Sequence, residues 1–258
     1  MKPLLLAIVC ALAAPAARAG EAACWFENGV VVVPASVMGV AGDYILDTGS
    51  PHTQLAETQA QGAGFAETAL NGDVRLAGVT LKGRPVAVAD LDMRTGALPT
   101  PIAGVIGVDV LKDYVLDVSF SPCRVVLRRP RGLPAFRPAT TLRLTWTASL
   151  PVVEAAVSDG PRARRLALTP ATGADTAVRL SDALAGAPGA KKPAELYPYG
   201  NLHPRLRALS FAGRLFEALP AGLLKPAEGD GQVGAPVLSR YRLRFDFPAG
   251  LLKLAPAA

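Results

Sequence analysis

One acidic residue stands where an apolar strand ends and a tight turn begins, a placement that suits acid–base chemistry. The segment "YILDTGSPHT" (44–53) passes from an apolar run into Asp47, Thr48, Gly49 and Ser50. Glycine permits a sharp turn and the close approach of another backbone. A carboxylate fixed at such a turn can move a proton to or from a bound water or a substrate.

An internal repeat indicates where a partner acid would lie. The segment "IGVDVLKDYVLDVSF" (106–120) aligns with "VGAPVLSRYRLRFDF" (233–247) at a constant offset of 127 residues. Self-similarity of this kind is the signature of two copies of one structural unit. The chain is therefore expected to contain two related lobes.

The second copy preserves the turn and lacks the acid. The counterpart of the Asp47 segment is "TPATGADTAV" (169–178), which keeps Thr172 and Gly173. Ala171 occupies the position of Asp47, and a methyl group can neither give nor take a proton. The position of the second acid is retained while its carboxylate is missing.

Short apolar runs separated by turn residues predict an all-β protein in both copies. Glycine (25) and proline (23) are abundant, and half of the residues are hydrophobic, which suffices for a sizeable core. Residues 128–138 contain four arginines and three prolines without periodicity, which is typical of a connection. We therefore predict an N-terminal lobe over 20–130, a linker over 131–138 and a C-terminal lobe over 139–258.

Taken together, these features resemble the retropepsin-like aspartic proteases. The likeness rests on the D-T-G-S motif at 47–50, on "VIGVDVL" at 105–111, and on the degenerate copy "ATGAD" at 171–175. It implies an all-β fold of two fused lobes arranged as in pepsin, with an internal pseudo-twofold repeat and a cleft for an extended peptide. In this family the threonines of the two turns interlock across the lobe interface. The implied active-site turns consist of Asp47, Thr48, Gly49 and Ser50 in one lobe and of Ala171, Thr172 and Gly173 in the other.

The chemistry of the family needs two acids that share one proton. The ionised acid takes a proton from a bound water, and the protonated acid donates one to the peptide carbonyl. With Asp47 as the catalytic residue and Ala171 opposite, the second role is unfilled. Loss of one such group lowers a rate by about 10²–10⁴-fold. We therefore expect weak proteolysis or none, with the cleft retained for an extended peptide or an unfolded protein segment.

Two alternatives and one further option stay open at this stage. An active endopeptidase could use Asp47 with another acid, such as Asp175, although the resemblance places Asp175 against the substrate backbone. A homodimer could pair two Asp47 side chains, although the fused second lobe should fill that face and favours a monomer. Asp109 is not expected to replace the missing acid, because it opens a short helix and is expected to be the N-cap of that helix. The third option is a structural envelope protein without a cleft ligand.

The flap that covers substrate in this family has little room in the first copy. The second copy carries a longer insert, "AKKPAELYPYGNLHPRL" (190–206). Tyr197 and Tyr199, together with His203, could line a lid over the cleft and contact substrate. A surface loop packed on its own aromatic residues is the alternative.

The first nineteen residues have the features of a secretory signal peptide. Lys2 precedes an apolar stretch too short to span a bilayer, and the A-x-A site "ARA" predicts cleavage after Ala19. An uncleaved membrane anchor is the alternative. We expect a periplasmic or secreted protein without a membrane span after cleavage. In an oxidising compartment, Cys24 and Cys123 are expected to form a disulfide rather than remain two free thiols.

Composition argues against several other classes of function. Removing Lys2 and Arg18 lowers the formal charge from +6 to +4, and aromatic residues do not interleave with the arginine clusters, so we expect no nucleic-acid partner. No group of ligands has metal-binding spacing, and no phosphate-binding glycine motif is present. We accordingly predict no metal and no cofactor.

Overall fold

The computed structural model describes residues 20–159, 162–181, 205–224 and 229–257. These residues form twenty β-strands and four short α-helices, arranged as two lobes and one sheet that joins them. The fold is all-β, with two closed six-stranded barrels, as in pepsin-like proteins, so the predicted fold class is confirmed.

The N-terminal lobe is a barrel whose core contains four consecutive buried valines, Val30 to Val33, at the start of one strand. Its strand order is β2-β3-β4-β8-β5-β7-β6. A further pairing of β3 with β6 closes six of these strands into the barrel, and β2 pairs with β3 outside the closed ring. Met38 and Gly39 both have positive φ and make the tight turn between β3 and β4, which matches the twist of a hairpin. The elements of this lobe are β2 (Trp25–Glu27), β3 (Val30–Val37), β4 (Val40–Leu46), β5 (Gln54–Ala56), α1 (Glu57–Gly62), β6 (Ala69–Leu76), β7 (Val79–Ala89), α2 (Asp92–Thr95), β8 (Ile102–Ile106) and α3 (Val108–Leu111).

The C-terminal lobe repeats this plan. Its order is β12-β13-β14-β18-β15-β17-β16, and β13 pairs with β16 to close the barrel. The elements are β12 (Thr145–Thr147), β13 (Leu150–Ser158), β14 (Arg164–Ala171), β15 (Val178–Ser181), β16 (Arg205–Phe211), β17 (Arg214–Leu224), β18 (Gly231–Gly234) and α4 (Ala235–Leu238). The apolar repeat in the sequence therefore corresponds to a structural duplication.

A six-stranded antiparallel sheet joins the lobes, in the order β1-β10-β9-β19-β20-β11. At its centre β9 pairs with β19, and Asp117 lies directly opposite Arg244. These two residues are also equivalent positions of the repeat, because they are 127 residues apart, so the pseudo-twofold axis passes between them. The sheet consists of β1 (Glu21–Ala23), β9 (Val115–Phe120), β10 (Cys123–Arg128), β11 (Thr140–Arg143), β19 (Tyr241–Asp246) and β20 (Leu251–Pro256).

The ion pair on this axis is nearly enclosed. Arg244 donates from Nε and Nη2 to the two carboxylate oxygens of Asp117, at 2.6 and 2.7 Å, and Arg244 is 3% exposed. The hydrogen bonds that Arg244 donates to Asp117 raise the pKa of the guanidinium above its usual range. Between β10 and β11 the chain forms no strand; there the Pro134 carbonyl accepts a bond from Arg244 at 2.8 Å. The connection between the lobes thus packs against the axis.

A disulfide joins Cys24 and Cys123, with Cα atoms 5.0 Å apart, as predicted. It ties the start of the N-terminal lobe to β10 of the joining sheet. None of the helices in the described ranges is long and apolar enough to cross a membrane.

Candidate active-site turns

Two equivalent strands deliver the two turns to the interface between the lobes. In the first lobe β4 ends at Leu46 and pairs in parallel with β8, so that the Asp47 N–H donates to the Ile106 carbonyl at 2.9 Å. In the second lobe β14 ends at Ala171 and pairs in parallel with β18. Each turn is therefore fixed at the end of a buried barrel strand.

The two threonines interlock across the interface. The Thr48 N–H donates to Thr172 Oγ1 at 3.1 Å, and the Thr172 N–H donates to Thr48 Oγ1 at 3.2 Å. Each hydroxyl then donates into the other lobe, Thr48 to the Pro170 carbonyl at 2.5 Å and Thr172 to the Leu46 carbonyl at 2.7 Å. Both threonines are fully buried, so the turns form one rigid unit.

Asp47 is buried within this unit and accepts bonds from both turns. Its Oδ1 accepts the Gly49 N–H at 2.7 Å and the Gly173 N–H at 3.1 Å, and the residue is 4% exposed. The two N–H groups therefore hold the Asp47 carboxyl group in a fixed orientation.

Ala171 lies on the other side of the same junction. A Cβ atom added to Gly49 would overlap the Ala171 methyl group, and one added to Gly173 would lie 2.5 Å from the Asp47 Cβ. Only glycine therefore fits at the third position of either turn. These overlaps also place Asp47 and Ala171 at the same contact between the lobes.

Arg94 fills the place beside Asp47 and was not foreseen from the sequence. Its Nη2 donates to Asp47 Oδ2 and, at 3.3 Å, to the Gly173 carbonyl. The Asp47 side chain is 6% exposed and that of Arg94 is 31% exposed. The acid therefore faces a cation from its own lobe and a methyl group from the other.

A well-anchored segment carries Arg94. We call residues 90–101, which connect β7 to β8, the arginine arm. The Asn28 side chain donates to the Ala97 carbonyl at 2.7 Å, and Thr100 donates from its N–H and its hydroxyl to Glu27 at 3.0 and 2.8 Å. Buried Leu91 packs against a small apolar cluster beneath the arm.

Unequal connections in the two lobes are the signal that could have drawn attention to Arg94. Twelve residues separate β7 from β8, while only six separate the equivalent strands β17 and β18. An insertion in one copy of a repeat is a site where function is often added. Its sequence, "DLDMRTGALPTP", has no motif that would show which side chain enters the junction.

The expected N-cap role of Asp109 is wrong. Gly107 is the N-cap of α3 and makes no side-chain cap bond. Asp109 instead accepts bonds from the Thr53 N–H and hydroxyl at 2.9 and 2.8 Å, and Thr53 in turn accepts the Gly107 N–H at 3.1 Å. Asp109 thus holds the chain that follows the Asp47 turn, because Thr53 offers two donors at once.

The remaining predicted site residues do not contact the Asp47 carboxyl group or lie outside the described ranges. The Ser50 hydroxyl donates to the His52 carbonyl at 2.9 Å and so serves its own turn. Asp175 is half-exposed and accepts a bond from Arg179 at 2.6 Å. Tyr197, Tyr199 and His203 lie outside the described residues. No cluster of three potential metal ligands occurs within the parts of the chain that the structure covers.

Comparison with known proteins agrees with the fold. The structure is similar to the crystal structure of an aspartic proteinase from Irpex lacteus, with a TM-score of 0.57 and 16% sequence identity. The match covers 93% of this chain and 97% of the other. No protein-family model matches the sequence, and no curated protein matches it. At this identity the likeness supports a protease-like fold of the pepsin type rather than a particular activity.

Proposed function

We propose that this protein binds an extended peptide or an unfolded segment between its lobes, with weak peptidase activity or none. The observation that carries the proposal is that both oxygens of Asp47 are engaged. Oδ1 accepts two backbone N–H groups and Oδ2 accepts Arg94, while a methyl group lies opposite.

This arrangement lacks the parts that peptide hydrolysis requires. The bound water must give a proton to one acid while a second acid protonates the carbonyl oxygen. Ala171 supplies no second acid, and the neighbouring Arg94 does not replace it, because a guanidinium does not give up a proton in proteins. Arg94 also competes with a water for the Asp47 oxygen that would activate it.

The pepsin-like fold supports peptide binding as the retained activity. A two-lobed arrangement can bind an extended chain through backbone hydrogen bonds, with side-chain pockets that give selectivity. Asp175 is proposed to contact the peptide backbone, as its place in the motif implies. The proposed setting is the periplasm or the cell exterior, which agrees with the Cys24–Cys123 disulfide.

The test restores the missing acid and removes the blocking cation. Wild type, Ala171→Asp, Arg94→Ala and the double variant are incubated with an unfolded protein between pH 3 and 7. We expect cleavage by the double variant, much less by Ala171→Asp alone, and none by Arg94→Ala. A triple variant that adds Asp47→Asn is the control for the restored activity.

Two results would contradict the proposal. Cleavage by wild type as fast as cleavage by the double variant, and abolished by Asp47→Asn, would establish an active aspartic peptidase. Failure of wild type to bind any peptide from a random pool would leave the third option, a structural protein without a ligand.

A further inference from the structure

Arg94 keeps hydrogen-bond donors that its contacts with the turns do not use. A guanidinium has five N–H donors. Nη2 serves Asp47 and the Gly173 carbonyl, whereas Nε and Nη1 have no hydrogen-bond partner within the described ranges. With 31% of the side chain exposed, these donors can meet a ligand that enters between the lobes.

The positive charge of Arg94 is only partly offset. Asp47 already accepts the Gly49 and Gly173 N–H groups, so its negative charge is shared among three donors. Asp92 is two residues before Arg94 in the short helix α2, and side chains with that spacing do not face each other. Asp175, across the junction, is paired with Arg179.

The arm that carries Arg94 is held in place before any ligand binds. Glu27 and Asn28, at the end of the β2 hairpin, fix both Thr100 and Ala97. The next residue, Gly29, lies so close to the second lobe that an added Cβ would be 2.8 Å from the Asp175 carbonyl oxygen. The hairpin therefore fixes the arm relative to both lobes, and a preorganised donor loses less entropy on binding.

We propose that Arg94 is the anchor for a carboxylate of the bound peptide, and that the protein therefore selects acidic ligands. The inference rests on the proposed peptide binding and adds the class of ligand. The carboxylate can belong to an Asp or Glu side chain or to the C-terminus of the peptide. In either case it accepts a charge-assisted hydrogen bond from Nη1 or Nε of Arg94.

Two random hexapeptide pools distinguish these sources. Both carry an acetylated N-terminus; one ends in a free carboxylate and the other in an amide. Purified protein is immobilised, and bound peptides are identified by mass spectrometry. Enrichment of Asp or Glu at a position in the amidated pool indicates a side-chain carboxylate, and preferential retention of the free-acid pool indicates the C-terminus.

Variants connect the preference to Arg94. The best acidic peptide and its neutral analogue are titrated against wild type, Asp47→Asn, and Asp47→Asn/Arg94→Gln. Removing the competing charge of Asp47 should tighten the acidic peptide, and removing both charges should weaken it about tenfold or more relative to Asp47→Asn. Relative to wild type the double variant leaves the net charge unchanged, so a loss of the acidic preference between these two proteins reports the guanidinium. Arg165→Gln, at an exposed pair with Glu154, is the surface control and should bind as wild type does.

The outcomes separate this inference from the proposed function. Bound peptides without acidic enrichment, or a preference that survives in Asp47→Asn/Arg94→Gln, would overturn the carboxylate anchor and leave peptide binding intact. An absence of bound peptides would overturn both. Efficient cleavage of the pools by wild type would instead overturn the proposed weak or absent peptidase activity.

Discussion

The contact between Asp47 and Arg94 makes the most direct prediction about stability. Replacing Arg94 with Gln keeps a similar length and removes the charge next to a buried carboxylate. Asp47 then keeps only the N–H groups of Gly49 and Gly173 as partners. We expect Arg94→Gln to have a lower free energy of unfolding than wild type at neutral pH. Adding Asp47→Asn to Arg94→Gln should make this loss smaller, because no charged carboxylate then remains without its cation.

The magnitude follows from how deeply the pair is buried. Breaking a fully buried ion pair costs about 3–5 kcal/mol, whereas exposed pairs contribute about 0–1 kcal/mol. The Asp47 side chain is 6% exposed and that of Arg94 is 31% exposed, so this pair lies between the two limits. Because the backbone donors remain, we expect a coupling of about 1–2 kcal/mol.

A double-mutant cycle measures that coupling. Wild type, Arg94→Gln, Asp47→Asn and the double variant are unfolded in urea at pH 7 and followed by circular dichroism. Tryptophan fluorescence is the second probe, because Trp25 lies in the N-terminal lobe and Trp146 lies in the C-terminal lobe. A coincident transition by all probes justifies a single free energy of unfolding.

A second cycle provides the matched control. Arg165 and Glu154 form an ion pair whose side chains are 80% and 70% exposed, and their coupling should be below about 0.5 kcal/mol. A coupling between Asp47 and Arg94 that is no larger than this control would refute the placement of Arg94 in the junction. The proposed function would then lose the observation that carries it.

Three further predictions concern stability. Replacing Cys24 and Cys123 with Ser should lower the free energy of unfolding in urea by about 2–4 kcal/mol; no change would mean that the bond does not constrain the unfolded chain. Gly173→Ala should cost about 1–3 kcal/mol in the same assay because the new methyl group would overlap the opposite turn, while Gly62→Ala, in open space, should be neutral or stabilising. Burial raises the pKa of Tyr44 from 10.0 to about 12. The contribution of the neutral Tyr44 to the free energy of unfolding is therefore complete below pH 10 and is lost as pH rises through about 12. Wild type should therefore lose about 1.4 kcal/mol more than Tyr44→Phe between pH 9 and 11, and equal losses would contradict the assignment.

The duplication and the two turns could be predicted from the sequence because both are local patterns. The offset of 127 residues relates segments that form equivalent elements, α3 and β9 in the first copy and α4 and β19 in the second. The retained Thr172 and Gly173 mark the second turn. Strand, turn and glycine requirements are all set by residues close together in the chain. The interlock of Thr48 with Thr172 then follows from the resemblance to a family with two such turns.

Arg94 could not be predicted in the same way because its position depends on distant contacts. The arginine arm reaches Asp47 only because Glu27 and Asn28 hold it from another hairpin. Asp109 illustrates the same limit. Local sequence favours a helix cap, but a threonine from the neighbouring turn provides two donors and determines the actual contact.

The ion pair on the pseudo-twofold axis makes the last prediction, which concerns the choice of partner lobe. Asp117 and Arg244 are equivalent positions that face each other within one chain. Two N-terminal lobes joined in the same way would instead place Asp117 against Asp117, and like charges at close range disfavour that pairing. Asp117→Arg should therefore destabilise the protein by about 3–5 kcal/mol, since it sets two cations together at a buried site.

The exchange variant Asp117→Arg/Arg244→Asp should recover much of that loss, because it restores opposite charges at the axis. Equal stability of Asp117→Arg and wild type would contradict a role for the pair in lobe choice. A homodimer that brought two Asp47 side chains together would have to give up this ion pair as well as the interlock of Thr48 with Thr172. Both contacts favour pairing of the two lobes within one chain, and we expect light scattering to show a monomer whose single Asp47 has no second acid to share a proton with.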